Sequence, residues 1–251
     1  MTLRPDAAAE EAELREYLGE HFDRRRLERH RAEVEAELAR IGDELTLYRT
    51  SDSYLYDLTA FAMWTTKDPY RAEVMRAVRP GARLLDYGCG IGSDGLRLLR
   101  EGYTVAFADF DNPSTRYLRW RLERRGLTAP VYDLDADAVS GGVPGGFDLA
   151  YAFDVIEHVE DPFAFLAALE RRARLVLVNL LEPEPGETAL HHDLPVAELL
   201  AHAAASGLRS YGLHHGRSHL VLYEPGQRAR PRVALAARRA AARFAASGAG
   251  R

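Results

Sequence analysis

Through a highly charged stretch from about Glu10 to Leu45, apolar residues recur at Leu14, Leu18, Phe22, Leu27, Val34, Leu38, Ile41 and Leu45. Most steps are three or four residues or multiples of them, which predicts one or two amphipathic helices. The next stretch, SDSYLYDLTAFAMWTTKDPY (Ser51 to Tyr70), is rich in aromatics and less regular. A helix is expected over Tyr70–Val78, ending before Pro80-Gly81. The pattern then changes. Short apolar runs read as strands at Arg83–Tyr87, Thr104–Asp109, Pro130–Asp135, Phe147–Asp154 and Arg174–Leu181. Helices fit Ser93–Glu101, Pro113–Arg125, Pro162–Arg172 and Pro195–Ser206. The runs Leu208–His215 and His219–Pro225 close the series as a hairpin around Gly216-Arg217.

Strands alternating with helices imply an α/β fold, a parallel sheet with helices on both faces. The final hairpin adds one antiparallel strand near an edge. Residues 1–70 are expected to form a helical cap, residues 71–226 the main domain, and residues 227–251 a basic tail. That tail holds seven arginines and no acid, and is otherwise mostly alanine.

Composition narrows the function classes. The chain has 251 residues, 47% hydrophobic and 28% charged, enough for one globular domain with a full core plus appendages. No run approaches the roughly 18–20 apolar residues of a membrane span. The N-terminus is acidic and polar where a signal peptide would be basic and then apolar, so a cytoplasmic protein is expected. Cys89 is the only cysteine, which excludes an intramolecular disulfide and a cysteine zinc site. The formal charge of −5 argues against a surface built to coat nucleic acid, though a local basic groove stays open.

The candidate chemistry begins at LLDYGCGIGSDG, Leu84 to Gly95. A buried strand runs into Asp86, and Gly88, Gly90 and Gly92 follow at alternate positions. In an open α/β sheet, ligands bind beyond the carboxyl ends of the strands. Glycine there permits a tight turn and close approach of backbone to ligand. The spacing is G-x-G-x-G, and Ser93 stands where the dinucleotide fingerprint would place its third glycine, which disfavours a nicotinamide-dependent reductase. Asp109 ends the second strand, where a carboxylate suits a ribose diol. Asp135, with Asp133 as its competitor, lies near the end of the third. The fourth runs through FDLAYAFDVIEHVEDP into Asp154, Glu157 and His158.

The order LLDYGCGIGSDG, TVAFADFD, DLDADAV, FDLAYAFDVIEHVEDP resembles the class I S-adenosylmethionine-dependent methyltransferases, over roughly Arg71 to Pro225. The resemblance implies a doubly wound seven-stranded sheet with its last strand antiparallel, and S-adenosylmethionine as cofactor. It implies that Asp86, Gly88, Cys89, Gly90 and Gly92 form the loop under the methionine part. Asp109 would take the ribose hydroxyls and Phe110 would pack on the adenine. Asp135 would face the adenine amino group, with Ala136 supplying backbone. Phe153 and Asp154 would lie beneath the sulfonium. The turn after Asp109, through Asp111, Asn112 and Pro113, departs from the usual pattern.

Methyl transfer to a hydroxyl needs a base or a metal. His158, His191 and His192 are the candidate bases. His158 also reads as a residue that simply holds its loop. His214, His215 and His219 cluster around the hairpin, where turn polarity accounts for them. No metal is expected, although Asp154, Glu157, His158 and His192 are candidate ligands in a D-x-x-E-H pattern similar to that of metal-dependent ubiquinone-type O-methyltransferases. Those usually carry Glu where Asp154 stands. Glu157 otherwise reads as a residue that caps or braces the loop. Tyr54, Tyr56 and Trp64 suit a lid over substrate or, equally, a cap packed on the sheet. The leading reading is methyl transfer to O or N of a small-molecule acceptor. An RNA or peptide methyltransferase, using RYLRWRLERR (Arg116–Arg125) and the basic tail, is one rival. An interaction module built on the same fold is another. No membrane partner is expected, and the N-terminal helices are candidates for pairing two copies.

Overall fold

The computed structural model describes residues 2–135, 142–182, 184, 188 and 190–228. Ala136 and all of the basic tail beyond Arg228 lie outside the described residues. Among the described residues there are seven strands: β1 (Arg83–Tyr87), β2 (Thr104–Asp109), β3 (Val131–Asp133), β4 (Phe147–Ala152), β5 (Ala173–Leu181), β6 (Leu208–His214) and β7 (Ser218–Tyr223). They form one sheet in the order β3-β2-β1-β4-β5-β7-β6. The chain divides into two compact units, residues 1–72 with 88–143, and residues 73–87 with the chain from 144 onward.

The first unit opens with α1 (Ala7–Leu18), α2 (Arg24–Glu28), α3 (His30–Ile41), α4 (Glu44–Thr50) and α5 (Asp52–Ala62). The expectation of one or two helices before Leu45 is corrected here. Gly19 and Gly42 end α1 and α3 at positive φ, +56° and +73°, with Gly42 in the left-handed helical conformation. Asp23 and Asp43 restart the chain by accepting hydrogen bonds from the backbone N–H of Arg25 and Thr46. Helix α5 is what the irregular aromatic stretch conceals, and Ser51 caps it by accepting from Tyr54 N–H at 3.0 Å.

Leu55, Tyr56 and Ala60 of α5 pack with Leu14, Leu27, Ile91 and Tyr117 in one apolar cluster. Burying one such side chain stabilises by about 1.5–3 kcal/mol. Tyr56, expected as a lid or cap residue, packs inside this cluster. It is 1% exposed, and its hydroxyl accepts from Asp23 N–H at 2.9 Å, which ties α5 to the start of α2.

The same unit holds α7 (Ser93–Arg100) and α8 (Pro113–Arg124), with β2 and β3 paired in parallel through Asp109↔Asp133; α6 (Asp68–Ala77) precedes β1. The unusual turn after Asp109 is a helix start. Asn112 accepts from Thr115 N–H at 2.9 Å, and the Thr115 hydroxyl accepts from Asn112 N–H at 3.0 Å, a reciprocal cap with Pro113 in the first turn. Arg121 of α8 is fully buried. It donates to Glu10 (2.6 Å), Glu13 (2.9 Å), Ser93 Oγ (2.9 Å) and the Ile91 carbonyl (2.9 Å). Burial pushes the Glu13 carboxyl up, but Arg125 and Arg121 outweigh it and hold it below the usual carboxylate range.

In the second unit β1, β4 and β5 run parallel, and β7 is antiparallel to both β5 and β6. The expected hairpin is present, paired from His214↔Ser218 inward. Among the described residues this unit also holds a short 3-10 turn (Ile156–His158) and helices α9 (Pro162–Glu170) and α10 (Val196–Ala205). Strand β5 is buried along most of its length, as its run of Leu and Val requires. Among the described residues no helix is long and apolar enough to cross a membrane.

Candidate functional site

Gly88, Gly90 and Gly92 all adopt left-handed geometry, at φ +76°, +51° and +70°. Gly88 and Cys89 both donate their N–H to the Ala108 carbonyl, at 2.8 and 3.2 Å, which pins the loop to the end of β2. A Cβ at Gly92 would stand 2.4 Å from Leu118 Cδ1, and one at Gly90 would stand 2.9 Å from Leu58 Cδ1. The loop is thus bare partly for the chain's own packing, with α5 and α8 closing on it.

Asp109 is the centre of this loop. Its Oδ2 accepts from Gly90 N–H at 2.6 Å and its Oδ1 from Phe110 N–H at 2.8 Å. Burial raises its carboxyl to about 6, against those two N–H groups, which favour the ion. A carboxylate has about four lone-pair positions, so two stay available for the hydroxyls of a diol. These acceptor positions fit the two hydroxyls of a ribose. Asp135 follows β3, and its carboxylate pairs with Arg49 of α4, whose guanidinium lies 5.1 Å from the Phe110 ring centroid. Asp86 is buried near the end of β1 in the second unit.

At the carboxyl end of β4, Phe153 is buried and stacks on Tyr151 at 4.9 Å. Asp154 is a non-glycine residue at φ +56°. Such strain persists where surrounding structure over-determines it. Here Asn179 does so. Its Oδ1 accepts from Asp154 N–H and its Nδ2 donates to Asp154 Oδ1, both at 2.8 Å. Asn179 is fully buried and was missed in the sequence, where a polar residue inside the apolar run LVLVNLL was the signal.

The loops after β4 and β5 meet within this unit. Ligand atoms of Glu157, His158 and His191 lie within 4.8 Å of one another, an arrangement able to hold a metal ion. The grouping differs from the expected set. Glu157 and His158 of the expected set are gathered here with His191; His192 donates its backbone N–H to the Glu157 carbonyl at 2.8 Å, and Asp154 Oδ1 accepts from Asn179 Nδ2. His158 Nδ1 lies 2.9 Å from the Leu190 carbonyl, so it carries the proton and directs the lone pair to Nε2. Burial, then the neighbouring His191, lowers the His158 imidazole to about 4, which keeps it neutral.

The remaining expected residues divide. Tyr54 is half-buried with its ring 5.1 Å from Tyr48, and Trp64 pairs its backbone with Leu3. His219 is buried between Tyr211 OH (2.9 Å) and Glu182 (2.7 Å), a hairpin brace. Four of the five arginines of α8 and its end are engaged within the chain: Arg119 with Asp111, Arg121 with Glu10 and Glu13, Arg124 with Glu16, and Arg125 with Glu13, while Arg116 is exposed.

A family described as a methyltransferase domain matches residues 63–206, more than half of the chain. The ubiquinone biosynthesis O-methyltransferase of Thiobacillus denitrificans is 30% identical over 96 residues, 38% of this chain and 41% of that protein. The protein of the same name from Dinoroseobacter shibae is 33% identical over 114 residues, 44% of this chain and 45% of that one. The matched region thus spans less than half the length of these relatives. Among solved structures, the magnesium protoporphyrin IX methyltransferase of Synechocystis with bound S-adenosylmethionine superposes with a TM-score of 0.53 at 17% identity. That match covers 86% of this chain and 97% of that one, and it shows the shared fold.

Proposed function

This chain belongs to the class I S-adenosylmethionine-dependent methyltransferase family, and we propose that it transfers a methyl group to an oxygen or nitrogen of a small-molecule acceptor in the cytoplasm. The observation that carries this reading is the Asp109 carboxylate, fixed by Gly90 and Phe110 N–H with two lone-pair positions to spare. When bound, the cofactor supplies a methyl group already activated on a sulfonium. The protein has to bind, align and exclude water.

Asp109 binds the ribose diol, and the glycine loop lets the backbone approach. The resemblance keeps Asp86, Phe153 and Asp154 as cofactor candidates, with Tyr54 and Trp64 as lid candidates. For a hydroxyl acceptor, His158 is the favoured base. Its Nδ1 proton is held on the Leu190 carbonyl, and its Nε2 takes the acceptor's proton. His191 and His192 stand in the adjoining loop as further candidates.

A second reading rests on the gathering of Glu157, His158 and His191. One carboxylate and two imidazoles suit a divalent cation, and the His158 Nδ1 contact with a carbonyl is the support such ligands have. A cation there would lower the pKa of an acceptor hydroxyl. One experiment tests both readings: incubation with methyl-labelled S-adenosylmethionine and a panel of phenols, catechols and amines, before and after chelation. Label should pass to at least one acceptor class. Under the metal reading, chelation lowers turnover by about a hundredfold and added divalent cation restores it. Unchanged turnover overturns the metal reading, and no transfer to any class contradicts the proposed activity.

A further inference from the structure

Asp109 and Asp133 are paired neighbours on β2 and β3, so the residues just beyond them, Phe110 and Asp135, share one end of the first unit. An aromatic face beside a carboxylate is what a flat base with an exocyclic amino group would use, once Asp109 holds its ribose. Arg49 takes both features at once. Its guanidinium lies over the Phe110 ring at 5.1 Å and is ion-paired with Asp135. A guanidinium is itself planar and rich in N–H donors, so it makes the same two contacts an aminopurine would.

The arm that carries Arg49 is seated by separate contacts. Buried Asn112 donates from Nδ2 to the Tyr48 carbonyl at 3.0 Å, and Tyr48 packs edge-on against Tyr54 of α5. The Arg49–Asp135 pair is itself well exposed, at 40% and 47% of the side chains. Exposed cation–π contacts and surface ion pairs are each weak and exchange readily. The contact is therefore built to release.

We propose that the Arg49 guanidinium is a latch that competes with the cofactor's adenine for Phe110 and Asp135, so that the latched side chain and the bound adenine exclude each other. This rests on the S-adenosylmethionine reading of the site. It makes cofactor entry depend on the Arg49 side chain swinging aside while α4 stays seated, and the apparent affinity is reduced by the latched fraction.

The test is calorimetric titration of S-adenosylhomocysteine into the full chain and into its Arg49→Ala and Arg49→Gln variants. Both substitutions are at an exposed side chain and should leave the thermal midpoint nearly unchanged. Expected is binding about three- to tenfold tighter in both variants, a tenfold gain meaning a latch closed about nine-tenths of the time. Added salt should narrow the gap by weakening the latch in the parent chain. Equal affinity in all three proteins, or weaker binding in the variants, overturns the latch while leaving the cofactor reading standing. Binding by none of the three overturns the cofactor reading and the latch with it.

Discussion

Replacing Arg121 by alanine lowers the stability of the protein by about 3 kcal/mol, seen as a fall of roughly 6–12 °C in the thermal midpoint. Arg121 has no exposed side-chain surface and pairs with two acids that are themselves buried, Glu10 and Glu13. Removing one member of a buried ion pair strands the others in a poor solvent for charge. The loss stays at the low end of the usual range because Glu10 keeps Arg97 and Glu13 keeps Arg125. The same guanidinium holds the Ile91 carbonyl and Ser93 Oγ beside the glycine loop, so cofactor affinity should fall as well. Urea titration measures the first effect. A change below about 0.5 kcal/mol, the size of an ordinary surface substitution, would refute this account of how α1 is fastened to α8.

Asp109→Ala lowers affinity for S-adenosylmethionine by at least about a hundredfold. Two charge-assisted hydrogen bonds that shape the loop vanish with the carboxylate, together with those to the ribose, each worth about 1.5–3 kcal/mol. The pH dependence carries the same signature. With its carboxyl at about 6, Asp109 begins to protonate in mildly acid solution, and affinity should fall about tenfold per pH unit below that value. In Asp109→Asn the affinity should be low and flat over this range. For stability the sign is that of a raised carboxyl. The folded protein is favoured while Asp109 is protonated, and that advantage is lost as pH rises from about 4 through about 6. The site thus holds an ion at neutral pH against its own burial. Affinity for the cofactor that is independent of pH between 5 and 7, on the order of that at pH 8, would refute the role given to Asp109.

Strands β1 and β2 coincide with the sequence expectation because apolar runs there stop at Gly88 and at the polar turn after Asp109. Strand β3 covers three residues and gives way where Asp133 and Asp135 flank Leu134. The breaks among the N-terminal helices were visible in Gly19, Asp23, Gly42 and Asp43, but a search for hydrophobic period alone runs across them. Tyr56 could not be told from a lid residue, because an amphipathic ring suits a core and a pocket wall alike. The partners of Arg121 lie 108 and 111 residues away, and Arg49 meets Asp135 across 86, separations that no local pattern encodes. Asn179 was legible as an anomaly in a strand, though its grip on Asp154 was not. The grouping of Glu157 and His158 with His191 likewise depends on how two loops meet.

The measurement that bears most directly on the central claim is calorimetric titration of the unmodified chain with S-adenosylhomocysteine, with NADH as the control. The account predicts micromolar binding of the sulfur nucleoside, lost in Asp109→Ala, and no binding of NADH. Binding of NADH alone, or of neither ligand, would contradict it and leave the glycine loop as a turn shaped only by Leu58 and Leu118.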